Sequence, residues 1–166
     1  RYNTGQGVQP VFEGWEKNTD GTFSLYFGYL NRNYEEIVDV PVGPNNRVEP
    51  GGDRGQPAHF LTRRQTSVFD VVVPKDFGLT NKVAWTITSH GVTNTIAGTL
   101  NPIYEIDATY DTTTGNRPPK VEIAKSLTGT VGKPVAISVS AEDDGYPTNG
   151  KLSVVWNKYR GPGDVA

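Results

Sequence analysis

The chain has 166 residues, 35% of them hydrophobic, with 19 Gly and 12 Pro scattered without period, and 16 basic against 18 acidic residues leave a net charge of -2. So small a charge gives no field to gather nucleic acid or an anionic membrane, and no apolar run approaches the roughly 20 residues that cross a bilayer. The absence of cysteine excludes disulfides, thiolate metal sites and cysteine nucleophiles.

No stretch repeats apolar residues at helical spacing, so the elements expected are short strands parted by Gly, Pro, Asn and Asp turns. Val11 to Glu16 and Thr22 to Tyr29 form a first pair, joined through Asp20-Gly21, a dipeptide suited to hairpin turns. In the second strand Phe23, Leu25, Phe27 and Tyr29 share a face and mark the core side. Glu36 to Val42 is the next candidate strand, and the Pro- and Gly-rich stretch from Gly43 to Pro57 is expected to be a long loop. Ser67 to Val73 is β-branched and ends at Pro74, which cannot donate to a ladder. Lys82 to Ser89 alternates cleanly with Val83, Trp85 and Ile87 on one side. His90-Gly91 then turns the chain into Val92 to Thr99, and Ile103 to Ile106 is expected to close the array.

Six or seven strands at this spacing predict an all-β, antiparallel, immunoglobulin-like sandwich over residues 1–106. Residues 107–119, rich in Thr, Asp, Gly, Asn and Pro, read as a linker. Residues 120–166 offer three further alternating segments, Val121 to Ile123, Pro134 to Ser140 and Lys151 to Trp156, too few to close a second sandwich. The expectation is a partial second immunoglobulin-like domain. The chain opens Arg1-Tyr2-Asn3 without Met, as a processed or trimmed chain would, so the loss of a leader or an anchor is an expectation.

Two resemblances bear on these segments. Pro118-Pro119-Lys120-Val121, Gly132-Lys133-Pro134-Val135, Ala141 to Pro147, and Leu152 to Trp156 followed by Gly161-Pro162-Gly163 resemble the front half of polycystic-kidney-disease and cadherin-like immunoglobulin-like repeats. That resemblance implies a spacing or adhesive role in an exported bacterial protein. Phe12-Glu13-Gly14-Trp15, Asn31 to Tyr34, Gly43 to Asn46, Asp53 to Phe60 and Val71 to Pro74 are similar to stretches of an uncharacterised set of exported bacterial β proteins, which implies export and a β fold but no reaction.

Reactive constellations are hard to assemble. Glu35, Glu36 and Asp39 suit a solvated rim, since neighbours on a strand point to opposite faces. His59 and His90 are the only histidines, and no Gly-x-Ser-x-Gly elbow accompanies them. Glu142-Asp143-Asp144-Gly145 offers hard oxygen ligands to calcium, with Asp107 and Asp111 as further donors, although a plain turn explains the same residues. Trp85 and Trp156 are expected in cores, leaving Trp15, Tyr26 and Tyr34 as a candidate sugar platform.

The richest segment is Gly51 to Arg64, where Asp53, Arg54, Gln56, His59, Arg63 and Arg64 make the Arg-rich polar mixture that meets carboxylates at protein interfaces. The functional expectation is therefore a non-catalytic structural or docking module, periplasmic or extracellular, with a protein partner and no cofactor. In its narrow form it is an accessory subunit of a membrane-bound electron-transfer or photosynthetic complex. The alternative is a carbohydrate-binding or adhesion module of a cell-surface protein.

Overall fold

A computed structural model describes residues 2–106, 119–145 and 152–163. The chain divides into two compact units, the first made of Arg1–Ile106 with Asn157–Ala166 and the second of Asp107–Trp156. The described parts are antiparallel β structure plus one 3₁₀ turn.

In the first unit, β1 (Val8–Lys17) and β2 (Phe23–Asn31) pair as the expected hairpin, and β6 (Arg63–Val73) joins the other edge of β2. The turn is held from within, Asn18 N–H donating to Thr22 O at 2.9 Å and Gly21 N–H to Asn18 O at 3.0 Å. A second three-stranded sheet runs in the order β4 (Asn46–Glu49), β7 (Val83–Ser89), β8 (Val92–Gly98). Two short strands, β3 (Val38–Asp39) and β5 (His59–Phe60), pair separately.

The alternating residues face inward as the period of two demands. Leu25, Phe27, Tyr29, Phe69, Val71 and Val73 from one sheet meet Val48, Val83, Trp85 and Ile87 from the other. Trp85 is fully buried at the centre, edge-on to Phe69 at 4.9 Å and to Phe27 at 6.3 Å, and stacked on Phe60 at 6.3 Å. Its indole N–H still needs an acceptor and finds Asn46 Oδ1 at 3.0 Å.

Three expectations fail here for local reasons. The Gly43–Pro57 stretch is not all loop: Asn46–Glu49 pairs along β7, putting Val48 opposite Trp85. The run is too short and too polar to read as a strand, yet Val48 and Asn46 are both fully buried. The segment closing the unit is a 3₁₀ turn, Pro102–Tyr104, capped by the Asn101 side chain, with a single parallel bridge from Glu105 to Trp15. That turn comes so close to the β1 bulge at Gly14 (φ 138°) that a Cβ there would lie 2.5 Å from Tyr104 O. Of the proposed Glu36 to Val42 strand only Val38–Asp39 is strand, with Val40 N–H adding one bond to Ala58 O at 2.9 Å.

In the second unit, β9 (Lys120–Ile123) and β10 (Val139–Glu142) form an antiparallel pair. Leu152, Val154 and Trp156 are about half exposed, so Trp156 is not the core residue its alternation implied, and no strand is assigned among the described residues from Leu152 onward. Most of the expected linker, residues 107–118, lies outside the described residues. The other departure from the expected domain boundaries is the return of the chain after Trp156 to the first unit.

Candidate functional site: a braced loop and the strap it holds

Two tight turns frame β4. Gly43 and Asn46 exchange backbone hydrogen bonds at 3.0 Å, and Val48 and Gly52 do the same at 3.0 and 2.6 Å. Buried side-chain amides then replace the contacts that an apolar core would supply. Asn46 Nδ2 donates to Val40 O at 2.9 Å and to Pro57 O at 2.7 Å, while its Oδ1 takes the Trp85 indole proton. Gln56 Nε2 donates to Gly52 O at 2.9 Å and Asn46 O at 3.3 Å, and its Oε1 accepts from Arg54 N–H at 2.8 Å. Backbone polar groups in a buried loop need such partners, and here two side chains satisfy five of them and the Trp85 indole besides. The loop is a braced surface.

Onto this surface lies a strap, Asn157 to Gly163, outside any strand or helix and bent at Arg160, Pro162 and Gly163. The carbonyl of Tyr159 accepts from Ala58 N–H at 3.1 Å and His59 N–H at 3.2 Å. The Tyr159 hydroxyl donates to Gly55 O at 2.6 Å. Arg160 Nε donates to Gln56 O at 2.5 Å, and its two terminal nitrogens grip Asp53 at 2.8 and 3.1 Å. This fork on a carboxylate is geometry that lysine cannot reproduce. The Arg160 hydrogen bond holds the Asp53 carboxyl below its ordinary range, helped by Gly55 N–H, while burial pushes the Tyr159 phenol up to about 12. Beside the strap opens a cleft of about 560 Å³ walled by Pro41, Val42 and Pro162, with Lys158 and the His59–Asp39 pair (2.7 Å) at its rim.

The six residues singled out in the sequence do not form one site. Asp53, Gln56 and His59 touch the strap. The Gln56 side chain is fully buried and shapes the loop from inside, which corrects its place among contact side chains; only its carbonyl meets the strap. Arg54 folds back on its own loop, Nε to Pro50 O at 3.0 Å. Arg63 and Arg64 start β6 and have other neighbours. Arg63 lies 4.0 Å over the Tyr34 ring. Arg64 Nη2 reaches both Glu13 oxygens at 2.6 and 2.7 Å, filling the space left by Gly28 at the β2 bulge. The residues that sequence reasoning missed are Tyr159 and Arg160, which lie more than a hundred positions from Asp53 and Gly55 in the chain.

Elsewhere, Glu36 is a rim residue, bonded to His90 Nε2 at 3.0 Å and to Gly5 N–H. The sugar platform loses Trp15, which is buried with its indole N–H on Asn101 O at 2.9 Å. Tyr26 spends its hydroxyl on Glu16. Asp143 caps its own turn through Gly145 N–H at 3.1 Å, and among the described residues no three His, Asp or Glu side chains stand close enough to hold a metal ion. Asp107 and Asp111 lie outside the described residues. Among the described residues no helix is long and apolar enough to cross a membrane. No protein-family model, no curated protein and no solved structure matches the chain.

Proposed function

We propose that the chain is a non-catalytic, extracytoplasmic docking module: an immunoglobulin-like sandwich whose braced Gly43–Arg64 face holds protein segments. One observation carries the reading. That face already holds a stretch of polypeptide, by backbone N–H groups of Ala58 and His59 and by the carboxylate of Asp53. A main-chain carbonyl held by two amides and side chains held by fixed acceptors are terms on which a folded surface recognises a peptide segment. The surroundings fit, since the loop is rigid before any partner arrives and binding to it incurs little ordering cost. In this reading the second unit is the start of a polycystic-kidney-disease or cadherin-like repeat and serves as a spacer, and the partner belongs to a membrane-bound assembly.

The test is site-specific photo-cross-linking in the native host. A cross-linker at Arg47 or Lys158, near the face, should trap a discrete extracytoplasmic adduct. One at Val72 or Val92, exposed strand positions away from it, should not. Equal labelling from all four positions would overturn the docking reading, and retention of the protein on polysaccharide without any adduct would turn it to the carbohydrate-binding class.

A further inference from the structure

The strap itself defines what the face recognises. We infer that the surface formed by Asp53, Gly55, Gln56, Ala58 and His59 is a receptor seat for a segment carrying tyrosine followed by arginine, and that Tyr159-Arg160 is its cis occupant, which a partner segment of the same chemistry displaces. This deepens the docking reading and rests on it.

Each part of the dipeptide has its own fixture. The tyrosine hydroxyl is read by Gly55 O, the main-chain carbonyl between the two residues by the Ala58 and His59 amides, and the guanidinium by Asp53 and Gln56 O. None of these groups moves easily. Gly55 N–H is tied to Asp53 Oδ1 at 3.0 Å, and Gln56 is locked by its buried amide. The occupant is held less firmly than the seat: the Asp53 and Arg160 side chains remain about 55% and 31% exposed, and exposed ion pairs are weak. None of the described strap residues is buried, Tyr159 being 40% exposed, and Lys158 donates to Gly163 O at 2.7 Å within the strap. A firm receptor with a loosely held occupant of its own sequence is an arrangement for competition. The cis strap sets the concentration that a partner in trans must exceed.

The probe is a fluorescent peptide with the sequence of residues 157–163, titrated into the full chain and read by anisotropy. The wild-type chain, its seat filled, should bind weakly. R160D, which ejects the strap by placing a carboxylate against Asp53, should bind at least about tenfold tighter. D53R/R160D should lose that gain, as should a peptide with lysine in place of arginine. Thermal unfolding of each variant is recorded, and R160Q replaces R160D if the latter does not melt cooperatively. Binding by R160D no tighter than wild type, or equal binding by D53R/R160D, overturns the seat. A wild-type dimer abolished by D53R would make a second copy the occupant and overturn a separate partner. The two proposals fail separately: loop-face adducts that persist without peptide binding sink only the Tyr-Arg seat, and peptide binding without adducts sinks the docking role in the cell.

Discussion

Replacing Asn46 by leucine tests whether the loop is braced as described. The substitution keeps the branching and number of heavy atoms and is apolar, so no cavity forms, and the cost is that of hydrogen bonds plus the slight overpacking of two methyl groups. Three buried groups lose their partner: the Trp85 indole N–H, Val40 O and Pro57 O. A buried polar group left unsatisfied costs about 1–3 kcal/mol, so three cost about 3 kcal/mol even at the low end and with complete additivity. Partial relaxation and water entry at Pro57 reduce the higher values, and a loss of about 3–5 kcal/mol is expected. Against a total stability of about 5–15 kcal/mol for a domain, that is a large fraction. Urea unfolding followed by Trp fluorescence should show a lower midpoint with an unchanged slope, the signature of lost stability without a change in exposed surface. A loss below about 1 kcal/mol would refute the bracing argument, because it would mean that the three groups find other partners at no cost.

Other outcomes follow from the same contacts. Trp85→Ala removes the ring on which Phe27, Phe60 and Phe69 converge and should cost about 3–5 kcal/mol by chemical denaturation; full retention of stability would contradict the core assignment. Gly98→Ala would bring a Cβ to 2.8 Å from both Phe12 and Phe27, and the overpacking should cost about 1–3 kcal/mol in the same assay. Arg64→Lys keeps the charge beside Glu13 but loses the carbonyl contacts of the guanidinium; stability should fall by no more than about 1 kcal/mol, with peptide binding at the strap unchanged. Tyr159 titrates at about 12, so the difference in tyrosinate absorbance between wild type and Tyr159→Phe should rise near that pH and not near 10. Because its folded value is raised, the contribution of Tyr159 to strap attachment is complete below its ordinary value and disappears as pH rises through about 12. Asp53 has the opposite sign: its value is lowered, so its contribution is present above the ordinary carboxylate range and is lost as pH falls through the depressed value. Hydrogen exchange at Ala58 and His59 reads the acid limit, and the tyrosinate absorbance the alkaline one.

The sequence by itself determined what periodicity and local chemistry can determine. Alternation in Phe23 to Tyr29 and in Val83 to Ser89 selected the core face, since a strand has only two sides and water discriminates between them. Asp20-Gly21 and His90-Gly91 marked the hairpins because few residues accept the backbone those turns require; His90 and Gly91 both have positive φ, 49° and 74°. Only the tertiary structure decided the fate of polar residues. Asn46 and Gln56 look like loop residues in sequence, because burial of an amide is favourable only where partners from distant positions converge, and that convergence leaves no local trace. Trp156 alternates like a core residue yet stays half exposed, since alternation identifies an apolar face without supplying anything to cover it. The seat is the clearest case. Asp53 was visible as one charge in a flexible-looking stretch, but its partner is Arg160, 107 residues away, and an ion pair across that separation depends on where the strap returns, which follows from the packing of both segments and from no feature of either alone.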